Sequence, residues 1–332
     1  VAELVYTTDE DPGITRKGAG KGFYYLYPDG AKVDRPEELE RINNLAIPPA
    51  YRGVWICLDP LGHLQATARD DRKRKQYRYH PDWVTRRQEK KFARLASLGR
   101  DLPRLRRKVR RDLRDFEAQK QQTVAAAVRL LDRAGLRVGN EGYLRRNKTR
   151  GISTLAKKNV ELEEEEKEPI HLHFTGKAGS EVDVTLRDAL LENALAECHE
   201  LPGQRLFSYR DHAGEVRDID SSDINEYLAG VCTEECSAKN LRTWRASVLA
   251  LEYLTRLGTP ENPEAEIRDA VRHAAERLNN TYATCREYYV HPRVLQAWRD
   301  CGEEGFARFA PLPEIRELSR VERLLLRIIE NE

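Results

Sequence analysis

Lys75-Gln76-Tyr77-Arg78-Tyr79 runs directly into His80-Pro81-Asp82-Trp83-Val84-Thr85-Arg86-Arg87-Gln88-Glu89-Lys90-Lys91-Phe92-Ala93-Arg94-Leu95-Ala96-Ser97-Leu98, and here the chain changes texture. The first five residues alternate as a strand does, with Lys75, Tyr77 and Tyr79 on one face and Gln76 and Arg78 on the other. From about Asp82 the pattern becomes helical. Residues 84–98 and 101–118 are rich in Arg, Lys and Leu, and Pro103 suits the first turn of the second stretch. A domain boundary near residues 82–90 follows, separating a β-rich domain over 1–85 from a mainly helical one over 86–332.

Upstream, the aromatic run Phe23-Tyr24-Tyr25-Leu26-Tyr27 ends at the turn Pro28-Asp29-Gly30, and residues 36–45 form a short helix. Gly53-Val54-Trp55-Ile56-Cys57-Leu58 is a buried-strand pattern that turns at residues 59–62. Gly18-Ala19-Gly20-Lys21-Gly22 leads into a strand and not a helix, so it fails as a phosphate loop. Downstream, Val124, Val128 and Leu131 recur at helical spacing towards Gly135. Three strands follow at 155–162, 170–175 and 181–186, with Glu163–Glu166 a solvated turn and Gly176–Ser180 the second hairpin. Further helices are marked by Leu241, Trp244, Val248 and Leu251, by Val271, Ala274, Ala275 and Leu278, and by residues 314–330. The fold class is α+β: a small antiparallel β-rich N-terminal domain, and a larger helical domain with a three-stranded sheet.

Net charge is only +2, but Arg69 to Arg114 holds nineteen Lys/Arg against six Asp/Glu. A near-neutral chain with one long basic stretch is built for a polyanion. No apolar run approaches the ~20 residues of a bilayer span, and residues 1–6 lack the features of a secretory signal. A soluble cytoplasmic protein associated with the nucleoid is expected, with no membrane partner. The six cysteines form no C-x2-C pairs and read as reduced thiols. There is no G-x4-G-K-[ST], H-E-x-x-H or G-x-S-x-G, and His171 and His173 lack a third metal ligand nearby. Neither a metal, a nucleotide nor another cofactor is expected.

What remains is a set of cations and a tyrosine: Leu136-Arg137-Val138-Gly139, Tyr143, Lys177 at a glycine-flanked hairpin tip, Lys239-Asn240-Leu241-Arg242, Asn279-Asn280, and Tyr288-Tyr289-Val290-His291-Pro292. Singly, these could be surface arginines paired with carboxylates, an ordinary hairpin lysine and core aromatics. In this order, and with Ile47–Tyr51 and Arg74–Tyr79 upstream, the set resembles the type IB topoisomerases, the compact poxvirus-type branch and its bacterial relatives, over nearly the whole chain.

The resemblance implies a clamp of two domains around duplex DNA, acting as a monomer. Tyr289 would be the nucleophile, Arg137 and Arg242 the grip on the scissile phosphate, Lys177 the proton donor to the leaving 5′ oxygen, and Lys239 a support to the arginine site. Asn280 stands where poxviral members keep His, and an amide can hydrogen-bond a phosphate but cannot titrate. Gln76, Tyr77, Tyr79 and Tyr143 are expected against DNA.

The residue types suit that chemistry. Guanidinium groups match the non-bridging oxygens of a five-coordinate phosphorus and stay charged at any working pH. A phenol needs activation, and an alkoxide needs an acid to leave. Neighbours on a helix differ by about 100°, so only one of Tyr288 and Tyr289 can face such a site. Two rivals remain. A tyrosine recombinase would be expected to carry His at position 239 and a different N-terminal domain. A non-catalytic DNA-binding module could share the fold.

Overall fold

The computed structural model describes residues 3–20, 22–117, 119–162, 169–309 and 312–330, the side chains of residues 302 and 303 excepted. The chain divides into two compact units, Val1–Lys91 and Phe92–Glu332. The Glu163–Glu166 turn lies outside the described residues.

The first unit is one antiparallel sheet of β1 (Gly13–Ala19), β2 (Gly22–Leu26), β3 (Arg52–Cys57), β4 (Leu64–Arg69) and β5 (Lys75–Tyr79), in the order β2-β1-β3-β4-β5. The glycine-rich stretch is the β1–β2 hairpin turn, as its failure to open a helix required. Helix α1 (Pro36–Asn44) covers one face through Ile42, against Ile14, Val54, Ile56, Ala66 and Ala68. Arg41 fastens it to the sheet by donating to the Cys57 carbonyl at 2.7 Å and to Gln65 Oε1 at 2.6 Å.

The basic stretch forms a single helix, α2 (Pro81–Asp112), and not two, and the division between the units falls within it. Pro103 therefore sits inside the helix, where a proline costs about 3 kcal/mol. Burial of Phe92, Leu95, Leu98, Leu102, Leu105 and Val109 along one stripe offsets that cost. Gly99, four residues before the proline, packs flush on Trp244; a Cβ there would lie 2.6 Å from the indole.

In the second unit, α3 (Gln119–Ala134) and α7 (Ala238–Leu257) are buried around most of their circumference and form its centre. Between them run α4 (Glu141–Asn147), β6 (Val160–Glu161), β7 (Ile170–Thr175), β8 (Glu181–Leu186), α5 (Ala189–Glu200), β9 (Ser208–Arg210), β10 (Val216–Asp218) and α6 (Ser221–Ala229). Helices α8 (Pro263–Arg277), α9 (Tyr282–Tyr288), α10 (Pro292–Asp300) and α11 (Arg320–Glu330) complete it.

The three-stranded sheet has the order β6-β7-β8, with Thr175 opposite Glu181 at its hairpin end. Two readings of the sequence are corrected here. The strand expected over 155–162 is reduced to Val160–Glu161 because Lys157–Asn159 coils into a 3-10 turn. The last helix begins at Arg320 and not near 314, because Ser319 and Glu322 cap it reciprocally: Glu322 N–H donates to Ser319 Oγ at 3.2 Å, and Ser319 N–H to Glu322 Oε2 at 2.9 Å. All six cysteines are free thiols. No described helix is long and apolar enough to cross a membrane.

Candidate active site

Helix α3 ends at Gly135, whose φ of +62° reverses the chain and turns its carbonyl towards α7. Arg242, in the second turn of α7, donates one guanidinium nitrogen to that carbonyl and the other to the Leu278 carbonyl. Arg137, two residues after the reversal, is held at its backbone by Ile152, whose N–H donates to the Arg137 carbonyl at 2.9 Å. Its Nη2 donates to the Asn279 carbonyl at 3.1 Å and to Asn280 Oδ1 at 2.5 Å. One short turn, Leu278-Asn279-Asn280, thus receives both arginines.

Tyr289 completes the group. Its ring centroid lies 5.3 Å from the Arg242 guanidinium carbon. Helix α9 stops at Tyr288, and Tyr289 departs from helical geometry at φ −129°, ψ −40°. The two aromatic neighbours accordingly part company: Tyr289 is half-buried beside the arginines, whereas Tyr288 is 38% exposed. A hydrogen bond with Glu287, with burial and the carboxylate's charge adding to it, pushes the Tyr288 phenol up to about 12.

Arg242 is buried and Arg137 half-buried, and the electrostatics of the pair are unusual for arginines so placed. Among the described residues no carboxylate bonds to either one, and their partners are neutral carbonyl and amide oxygens. Burial lowers the proton affinity of Arg137, and only Tyr289 opposes the shift. Arg242 is lowered to about 10, first by burial and then by the charge of Arg137. Concentrated positive charge without an acidic partner is a site for an anion. Two donors beside it are unused: Arg242 Nε and Asn280 Nδ2 are buried with no hydrogen-bond partner.

The other residues singled out in the sequence lie differently. Lys177 is exposed at the tip of the β7–β8 hairpin, in a turn where Ala178 (φ 64°) and Gly179 (φ 80°) are both left-handed. Lys239 is exposed on the first turn of α7. Tyr143 is 50% exposed on α4, a helix without a buried residue, with the Arg146 guanidinium 5.7 Å from its ring.

Tyr77 and Tyr79 stack on one face of β5 with centroids 6.0 Å apart, and both are exposed. Gln76 faces the other way and donates to Asp70 Oδ2 at 3.0 Å. Four of the five β5 residues are exposed and Gln76 is half-buried, and the strand's outer edge is unpaired in the sheet. Among the described residues no three His, Cys, Asp or Glu side chains cluster as metal ligands.

One positioning residue had escaped notice in the sequence. Ser247 Oγ, on α7, accepts from His291 N–H at 2.9 Å, and its one proton is shared between the Thr243 carbonyl at 3.1 Å and the Tyr289 carbonyl at 3.3 Å, so the helix that carries Arg242 also holds the backbone next to the tyrosine. Asn279, named in the sequence only beside Asn280, lies between the two arginine contacts.

Comparison with known proteins shows the family of the chain. The family described as "Eukaryotic DNA topoisomerase I, catalytic core" matches residues 72–304, and "Bacterial DNA topoisomerase IB, N-terminal domain" matches residues 22–70. The chain is 31% identical over 298 residues to the DNA topoisomerase 1B of Acanthamoeba polyphaga mimivirus, covering 87% of this chain and 88% of the relative.

Proposed function

The chain belongs to the type IB DNA topoisomerases, and from that premise we propose that it relaxes duplex DNA by transient cleavage of one strand through Tyr289. The phenol oxygen attacks the scissile phosphorus. A Tyr289 Oη–P bond forms while the P–O5′ bond breaks; the phenol proton passes to solvent, and Lys177 Nζ gives a proton to the departing 5′ oxygen. The product is a 3′-phosphotyrosine and a free 5′ hydroxyl. The free end swivels, and the reverse attack restores the strand.

The observation that carries this reading is the pair of carboxylate-free arginines, Arg242 buried and Arg137 half-buried, against the tyrosine. A phosphodiester carries one negative charge and gains another as the five-coordinate state forms. Arg137 and Arg242 supply fixed donors where that charge develops, each worth ~10²–10³ in rate. On phosphate arrival the carbonyl partners are exchanged for non-bridging oxygens, and Asn280 Nδ2 adds a neutral donor. The ester bond energy is conserved in the phosphotyrosine, so resealing requires no ATP. Divalent metal is not required either, since the cations do its work.

The exposed Tyr77 and Tyr79 on edge strand β5, and Tyr143, Arg145 and Arg146 on α4, suit contacts to the DNA backbone and grooves. Gln76 would reach a base by releasing Asp70. The substrate is duplex DNA, the enzyme acts as a monomer, and its affinity falls steeply with salt. The test is plasmid relaxation by the purified full chain in EDTA without ATP, over a series of salt concentrations. Supercoils of both signs are expected to relax. A requirement for ATP or divalent metal, or accumulation of nicked circles without resealing, would refute the mechanism.

A further inference from the structure

Asn279 touches both the arginine site and the hairpin carrying Lys177. Its carbonyl accepts from Arg137 Nη2 at 3.1 Å, and its side-chain Nδ2 donates to the Glu181 carbonyl at 2.6 Å. Glu181 opens β8, four residues beyond Lys177 around the hairpin tip, and its partner across the hairpin is Thr175. The tip closes on itself through Gly176 N–H to the Ser180 carbonyl at 2.7 Å and Ser180 Oγ to the Lys177 carbonyl at 3.0 Å. Lys177 is therefore separated from Asn279 by one stiff hydrogen-bonded turn.

The backbone of Asn279 is also special. Its φ is +52°, a left-handed conformation that places its carbonyl towards Arg137 while its side chain turns to β8. Asn is among the few residues other than Gly that tolerate this geometry, and its amide supplies a donor that Gly lacks.

Resting on the reading of Lys177 as proton donor, the geometry points to Asn279 as a positioning residue that registers the Lys177 hairpin against the Arg137–Asn280 phosphate site. Without the Nδ2 bond the hairpin keeps its internal turn but loses its tie to the turn that receives both arginines. The acid is then mispositioned relative to the 5′ oxygen, while the grip on the phosphorus is retained. Protonation of the leaving group alone suffers. General acid catalysis is worth ~10²–10⁴-fold, and partial misplacement should forfeit on the order of tenfold of it.

The leaving atom provides a readout that a simple folding defect would not move. When sulfur replaces the bridging 5′ oxygen, a thiolate departs without needing a proton. Single-turnover cleavage of duplexes containing either atom would be measured with the full chain and three variants, Asn279→Gly, Asn279→Asp and Lys177→Ala. Glycine keeps the left-handed backbone and removes the tie. Aspartate keeps the shape and removes the donor.

Both Asn279 variants are expected to be about tenfold slow on the oxygen substrate and within about threefold of the parent on sulfur, as Lys177→Ala is with a larger oxygen defect. Asn279 variants that match the parent on oxygen, or stay equally slow on sulfur while Lys177→Ala is rescued, would overturn the positioning role alone. A Lys177→Ala that cleaves oxygen normally would overturn the acid assignment, and the proposal with it.

Discussion

The second unit draws arginines largely out of solvent in two places, and the two places could hardly be treated more differently. Arg106, on α2, is surrounded by carboxylates: it donates to both oxygens of Asp132, at 2.8 and 3.0 Å, and to both of Glu322, at 2.6 and 3.0 Å. Burial would lower its proton affinity, but the two acids outweigh it and raise it above its ordinary value. Arg137 and Arg242 are offered only neutral oxygens, and both are lowered. The first arrangement is closed, and fastens α2 to α3 and α11. The second leaves charge uncompensated, which is tolerable where an anion is to be bound and a liability elsewhere. Burial is thus not what distinguishes a structural arginine from a catalytic one. The distinction is who supplies the negative charge.

The contrast can be broken most sharply at the phenol that the uncompensated pair serves. Tyr289→Phe is expected to abolish the denaturant-trapped covalent adduct with labelled DNA, while Tyr288→Phe leaves it intact. Loss of the adduct in Tyr288→Phe alone would mean that the exposed ring is the nucleophile.

The structural side is tested by Arg106→Ala. Removing this arginine strands two acids, a loss of about 3–5 kcal/mol for a buried pair, read from denaturant unfolding. Below the unfolding transition, cleavage by the variant should stay near the parent rate. An unfolding midpoint unchanged from the parent would show that the network is ornamental.

Arg137→Ala and Arg242→Ala should reverse that pattern, each slowing single-turnover cleavage ~10²–10³-fold with a far smaller loss of stability than Arg106→Ala. Equal destabilisation at both kinds of site would erase the distinction drawn here.

Acid titration separates the regions more gently. Burial alone would raise the Glu322 carboxyl, but Arg106, the Ser319 N–H and Trp244 Nε1 together hold it at about 2, against an ordinary 4.5. A depressed folded value means that this stability is fully present above about 4.5 and is lost as pH falls towards 2. The loss should be about 3 kcal/mol, at 1.4 kcal/mol per unit. Glu322→Gln should remove most of this limb from the stability–pH profile; a profile unchanged by the substitution would place the acid sensitivity elsewhere.

Much of this architecture was legible in the residues. Alternation at 75–79, the L-R-x-G at the end of α3, K-x-L-R at the start of α7 and Y-V-H-P after α9 are local patterns, and local patterns survive in a linear reading. The contacts that make them a site are not local. Arg242 meets carbonyls 107 and 36 residues away, and Arg137 meets one 142 residues away. Carbonyl acceptors are present at every position, so nothing in the sequence marks the ones that matter.

The left-handed Asn279 has a weak signature, since Asn-Asn after a helix usually reads only as a stop. The continuity of α2 through Pro103 was hidden because packing of its apolar stripe on the rest of the unit, and not local propensity, decides the matter. The β9–β10 hairpin was overlooked because its three-residue strands are too short to establish a period.

The most direct test of uncompensated cations gathered around one phenol is chemical identification of the protein–DNA linkage. The full chain would be trapped on a duplex labelled at the 5′ end of the cut strand, digested, and the nucleotide-bearing peptide sequenced by mass spectrometry. A 3′-phosphate ester on Tyr289 is the predicted result. Attachment through a 5′ phosphate, or to Tyr288 or any other side chain, would contradict the account.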